Sequence, residues 1–150
     1  MGIQPIYLDN AASTRVTDEV LAVMTEVMRT AWGNPSAAHP QGAAARDQIE
    51  TGRLRLLAAL GDAGGKLGDI VWTSGCTEAD ALAVLGAAHV KAGTIVLSSI
   101  EHPAVSAVAA RLGDQGRRVV TVAPGPDGVL DPEVVADAAA DAGVVSIVSS

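Results

Sequence analysis

DIVWTSGCTEAD, residues Asp69 to Asp80, joins a short apolar run to a turn of small and hydroxyl residues that opens into a helical pattern. The run Ile70 to Trp72 reads as a strand, and the apolar periodicity predicts a helix over Ala79 to Val90. Strand, tight turn and helix in that order leave the first N–H groups of the helix without internal partners and aim the positive end of its dipole at the turn. Such a turn suits an anion, most often a phosphate: Gly75 permits the bend, the amides of Cys76 and Thr77 can point at an oxyanion, and the Thr77 hydroxyl adds a donor. The same residues also describe an ordinary helix start, with Thr77 as the cap and Glu78 close to the positive end of the dipole. A Walker loop is excluded, because its glycine spacing and following lysine are missing.

Downstream, apolar runs at Thr94 to Leu97, Arg118 to Val122 and Val144 to Val148 alternate with helical patterns at Ala104 to Leu112 and Pro132 to Ala142. Alternation at this spacing predicts an α/β fold built from right-handed βαβ units, with a mostly parallel sheet covered by helices on both faces. In such sheets ligands gather beyond the carboxyl ends of the strands, where the loops after Thr73 and Leu97 would open. The last residues, SIVSS, fall at the end of a buried strand that expects a covering crossover, so the chain reads as truncated.

Upstream, Ile6 to Leu8 begins an extended lead-in that continues as a loop through Thr14. Thr17, followed by Asp18 and Glu19, is a helix N-cap signal, and Val20, Leu21, Met24, Val27 and Met28 fall on one face of the helix it starts. The two methionines read as core filler. WGNPSAAHPQG, Trp32 to Gly42, is broken by glycine and proline into a loop of about ten residues, long enough to carry function. A helix is expected from Ala43 to Leu60, with Ile49, Leu54, Leu57 and Leu60 inward and Arg46, Glu50, Arg53 and Arg55 mostly outward. Gly52 weakens its middle, and Gly61 to Gly68 is a turn. The division that follows is a helical segment with a functional loop over 1–68 and βα units over 69–150.

The 150 residues suffice for one domain of ordinary size, with a core drawn from Ala, Val, Leu and Ile, since Phe is absent and Trp and Tyr total three. Seventeen acids against ten bases give a net charge of −7 with no basic cluster, which argues against nucleic acid or an anionic membrane as partner. One cysteine forms no internal disulfide, and neither a leader pattern nor a spanning apolar run is visible, so a cytoplasmic protein is expected.

A second candidate for chemistry is SSIEHP, Ser98 to Pro103, also on a strand-to-helix turn. The His102 imidazole could stack on a planar ring or carry a proton near neutral pH, or it could be an exposed loop histidine. His39 in the Gly/Pro loop and His89 late in a helix share no ligand spacing with it or with Cys76, so no metal site is expected. Cys76 at a helix start invites a nucleophilic role, but no base is near in sequence, and filling a tight turn is the simpler reading.

YLDNAAST (Tyr7 to Thr14), GNPSAAHPQGAAAR (Gly33 to Arg46), TSGCTEAD (Thr73 to Asp80) and SSIEHPAV (Ser98 to Val105) together, in order and spacing, resemble the opening part of cysteine desulfurases of the NifS/IscS type. The resemblance spans essentially the whole chain. It implies the large domain of a fold-type I, class V aminotransferase-like enzyme dependent on pyridoxal 5′-phosphate. It implies further that Cys76 and Thr77 hold the cofactor phosphate, that His102 stacks on the pyridine ring and assists proton transfer, and that Asn10, Ala11, Asn34 and His39 border the active site. Family members usually carry Ala or Gly where this chain has Cys76, and the family's persulfide cysteine belongs to a segment not found here.

Pyridoxal chemistry needs a lysine to hold the cofactor and usually an acid at the ring nitrogen. Lys66 and Lys91 do not lie in the family's His-Lys context and read as bystanders, so these 150 residues alone are not expected to turn over substrate. The resemblance implies a whole enzyme that converts L-cysteine to L-alanine, passes the sulfur through its own thiol to an acceptor protein for iron–sulfur or thio-cofactor synthesis, and works as a homodimer. Rival readings are another class V enzyme, a selenocysteine lyase or an aminotransferase-like protein, and a non-catalytic half-fold that binds a partner or a phosphate ligand.

Overall fold

The computed structural model describes residues 5–62 and 68–148. Lys66 and most of the Gly61 to Gly68 turn lie outside the described residues, as do residues 1–4 and the end of SIVSS. The chain divides into two compact units, Met1–Ile70 and Val71–Ser150.

In the first unit, α1 (Asp18–Thr30) starts where its cap signal lies: the Thr17 side chain accepts from the Val20 amide at 3.4 Å, with Asp18 and Glu19 in the first turn. Its apolar stripe, however, buries no residue, and Met24 and Met28 are 49% and 73% exposed. They fill no core, because a stripe is buried only when another element offers it a surface. The second helix, α2 (Pro40–Ala59), begins three residues before the expected Ala43, inside the segment read as loop. Proline suits a first helical position, where its missing N–H would have no partner.

Inside α2 the expected sides are partly exchanged. Leu54 and Leu60 are 66% and 69% exposed, while the Arg53 side chain is only 19% exposed. Arg53 reaches the Asp69 carboxylate at 2.7 Å, the Ile70 carbonyl and the Glu50 carboxylate at 3.3 Å, tying the end of the unit back onto α2. Three acceptors fix a guanidinium more firmly than the helix periodicity places a leucine.

The second unit holds the core. β1 (Thr94–Ser98), β2 (Val119–Val122) and β3 (Ala142–Ser146) form a parallel sheet in the order β2-β1-β3, with Ile95 opposite Val119 and Val144. Because side chains alternate across a strand, Ile95 and Leu97 pack with Val84, Ala88, Val105, Ala109 and Leu112 of α3 (Cys76–Val90) and α4 (Pro103–Asp114). Val96 points the other way, toward Val122, Leu130 and the Val135 and Ala138 side chains of α5 (Pro132–Ala138). All five residues of β1 are buried, as expected of a central parallel strand.

The run Ile70 to Trp72 is not a strand. An extended segment becomes one only by pairing, and no described strand pairs with it; Val71 and Trp72 remain 69% and 50% exposed. α5 stops at Ala138 rather than Ala142, and β3 runs from Ala142 to Ser146 rather than from Val144 to Val148. The register of β3 on β1 sets the limits of the strand, and α5 is capped at Ala139. At the opposite edge, Gly93 turns α3 into β1 with φ of 138°, where a Cβ would meet the Asp141 carbonyl and the Gly143 amide. Arg117 donates to the Ala88, Lys91 and Gly93 carbonyls there, satisfying acceptors at the end of α3. Among the described residues, no helix is long and apolar enough to cross a membrane.

Candidate functional site

α3 begins at Cys76, three residues earlier than its periodicity indicates, so Cys76, Thr77 and Glu78 are its first three residues and Gly75 is the N-cap. The capping role open to Thr77 is therefore not the one it has. Gly75 lacks a side chain that could cap, and Thr77 is exposed, its hydroxyl making no hydrogen bond among the described residues. Among the described residues, the other four helices each spend a side chain on their own first turn: Thr17, His39, His102 and Asp131. At α3 no side chain caps the first turn, so its leading amides and the positive end of the dipole favour an anion.

The turn before α3 is internally braced. The Glu78 carboxylate accepts from both the amide and the hydroxyl of Ser74 at 2.6 Å, and these donors hold its carboxyl below the ordinary 4.5. The Thr73 hydroxyl donates to the Gly75 carbonyl at 3.1 Å. Cys76 points its thiol at the Asp80 carboxylate at 3.4 Å, and that hydrogen bond and negative charge raise the thiol above its usual value. A thiol kept protonated by a neighbouring carboxylate is a poor nucleophile, in keeping with a structural place in the turn.

His102 is the N-cap of α4, its Nδ1 accepting from the Ala104 amide at 3.1 Å. With Nδ1 engaged as an acceptor, the neutral ring carries its proton on Nε2, and the side chain is exposed. The ring therefore has a free face and a proton-bearing atom. Because α3 ends where β1 begins and α4 starts where β1 ends, both turns lie at the carboxyl edge of the sheet. A cavity of about 280 Å³ between α3, α4 and β3 is lined by Asp80, Val84, Ala87, Val105 and Ser146, and neither Thr77 nor His102 lines it.

Asn10, Ala11, Asn34 and His39 belong to the first unit. Asn10 and Ala11 are exposed in a turn closed by the Ala12 and Ser13 amides on the Asp9 carbonyl. The Asn34 side chain accepts from the Ser36 amide at 2.9 Å, His39 caps α2 by accepting from the Gly42 amide at 3.2 Å, and Arg46 donates to the Pro35 and Ala37 carbonyls at 2.6 and 2.8 Å. Gly42 is packed so closely that a Cβ would lie 2.7 Å from the Asn34 carbonyl. The motif from Gly33 to Arg46 thus ties a loop to the first turns of α2. It leaves the Asn34 amide nitrogen and His39 Nε2 outside the hydrogen bonds that form it.

Glu101, to which the sequence pattern assigns no role, bridges two strand ends: Oε1 accepts from the Ser98 hydroxyl and the Val148 amide, and Oε2 from the Ser146 hydroxyl. Two of these partners lie 45 or more residues away, so no local signal marks the residue.

Residues 6–149 match the family Aminotransferase class-V. The chain belongs to that family. Among curated class-V relatives, the cysteine desulfurase IscS of Pseudomonas entomophila is 41% identical over 143 residues, covering 91% of this chain and 35% of the relative. The cysteine desulfurase IscS of Azotobacter vinelandii is 41% identical over 140 residues, covering 89% and 34%. The chain thus spans about a third of the length of the curated relatives it matches. Among solved structures, a NifS-like protein superposes with a TM-score of 0.81 at 32% identity, over 92% of this chain and 38% of that one. SspA in complex with cysteine superposes with a TM-score of 0.79 at 30% identity, over 91% and 40%. The class-V family and the superposition on a NifS-like protein account for the parallel sheet and its flanking helices.

Proposed function

We propose that this chain supplies the phosphate cradle and the ring-facing histidine of a pyridoxal 5′-phosphate-dependent cysteine desulfurase. The observation that carries the reading is the pairing of an α3 start without a side-chain cap and an exposed, helix-capping His102 at the carboxyl edge of one parallel sheet. The residues fit the cofactor: the Cys76 and Thr77 amides and the Thr77 hydroxyl would take its phosphate, and His102 would lie against its ring and hold a proton at Nε2. When bound, pyridoxal phosphate supplies the electron sink for the substrate's bond cleavage. This chain's own work is to bind the dianion, to orient the ring and to keep Cys76 protonated and out of the reaction. On resemblance, Asn10, Ala11, Asn34 and His39 border the site.

The named relatives and the cysteine bound to SspA support L-cysteine as substrate, with alanine and an enzyme-bound sulfur as products. The lysine that holds the cofactor, the acid at its ring nitrogen and the sulfur-carrying cysteine would come from outside these 150 residues. Lys91 is the exposed C-cap of α3, at the end remote from the cradle, and with Lys66 is assigned no part. A homodimer, a sulfur-acceptor protein, a role in iron–sulfur or thio-cofactor synthesis and a cytoplasmic setting complete the reading.

Titrating the purified chain with pyridoxal phosphate and following its phosphorus resonance tests the cradle. A saturable shift is expected that pyridoxal without phosphate fails to compete for and that Thr77→Val weakens, while Thr25→Val on α1 does not. No shift, or a shift indifferent to Thr77, would sink the assignment. A dialysis-resistant visible absorbance that disappears on replacing Lys66 or Lys91 would overturn the bystander role of those lysines.

A further inference from the structure

The turn from Ser99 to His102 is clamped to all three strands. The Ser99 amide donates to the Val122 carbonyl of β2 at 2.8 Å. The Glu101 carboxylate takes the Ser98 hydroxyl at the end of β1 at 2.8 Å, the Ser146 hydroxyl at the end of β3 at 3.2 Å and the Val148 amide at 2.6 Å. A carboxylate with three donors makes charge-assisted bonds, stronger than those between neutral groups. Ser98, from which the clamp starts, is 1% exposed, so its hydroxyl has little water to turn to if Glu101 is lost. The next residue along is His102, whose Nδ1 caps α4.

We propose that Glu101 is a positioning residue: by fastening the carboxyl ends of β1 and β3 to the turn, it fixes the direction of the His102 imidazole at the sheet edge. Its bearing on catalysis rests on the cofactor reading above; its action on His102 does not. Glutamine can keep the clamp, since its carbonyl still accepts from Ser98 and Val148 and its amide can donate to a Ser146 hydroxyl turned about its Cβ–Oγ bond. Alanine can keep none of it.

Histidine-labelled NMR and amide exchange on the 150-residue chain test this without any cofactor. Glu101→Ala is expected to lose the Nδ1-acceptor signature of His102 and to speed exchange of the Ala104 amide by about tenfold or more. Exchange at Val96 and Ala109 should change far less. Glu101→Gln is expected to restore the His102 signature, and Ser146→Ala, which removes one donor without touching the turn, to fall between. His102 and Ala104 signals unchanged in Glu101→Ala would overturn the proposal. So would a loss of protection spread evenly to Val96 and Ala109, which would make Glu101 a general structural tie. A chain that shows the expected pattern but takes up no pyridoxal phosphate upholds Glu101 and refutes the cofactor reading instead.

Discussion

In Val71–Ser150 the central strand is buried from end to end, with Val96 at 0% and Ile95 at 2% exposure, whereas in Met1–Ile70 the 13-residue α1 buries nothing at all. The second unit keeps its shape by removing apolar side chains from water on both faces of a sheet. The first keeps its shape through polar reach: Arg46 holds the Gly33 to His39 loop by two carbonyls, His39 and Asn34 brace it, and Arg53 fastens Asp69 and Ile70. The difference teaches where each motif has its freedom. In the second unit, site residues sit on loops fixed by a core beneath them; in the first, the motif residues are themselves the fixture.

The strongest way to break this contrast is a pair of truncations. Ile95→Ala should cost about 2–5 kcal/mol in urea unfolding, the usual loss for a buried aliphatic side chain, while Met24→Ala on α1 should stay within about 0.5 kcal/mol. An equal cost at Met24 would mean that α1 has a core of its own. Next in size, Arg46→Met should lose about 1–2 kcal/mol of local stability, seen as faster exchange of the Ala37 amide, with β1 amides unaffected. A loop as protected as before would show that the arginine is dispensable.

A smaller effect sharpens the cradle. Asp80 raises the Cys76 thiol, so Asp80→Asn should lower it, enlarge the thiolate fraction at neutral pH and speed alkylation of the cysteine. An unchanged rate would remove Asp80 as the cause. The smallest concerns Glu78. Its carboxyl is held below 4.5 by Ser74, so the stabilisation it confers is present above 4.5 and fades as pH falls through the lowered value. Acid titrations of the wild type and Glu78→Gln should differ at neutral pH and converge in acid; curves that stay parallel would contradict the assignment.

Much of the frame is legible residue by residue. Thr17 with Asp18 and Glu19 marks the start of α1, and the alternation of apolar runs with helical patterns after Thr94 announces a parallel sheet covered on both faces. These are statements about neighbours in the chain, and capping and periodicity are set by neighbours. His39 and His102 were legible as loop histidines of interest, but not as caps, because the apolar periodicity begins a residue or more after each helix does. The inward side of α2 was misread for a related reason: the partners that draw Arg53 in lie 16 and 17 residues away.

The sequence by itself determined the order of elements, the small-residue turn before α3 and the cluster of motifs that resembles one family, since each depends on spacing along the chain. Only the tertiary structure decided that Ile70 to Trp72 is no strand, that β1 lies between β2 and β3, and that Glu101 ties two strand ends beside His102. The reason is physical: a strand exists by virtue of its partner, and a carboxylate's role by virtue of its donors, and both are supplied by chain far away in number. The stretch DIVWTSGCTEAD shows the division within 12 residues. Its helix was written locally, though it starts at Cys76 rather than Ala79, while its strand waited for a neighbour.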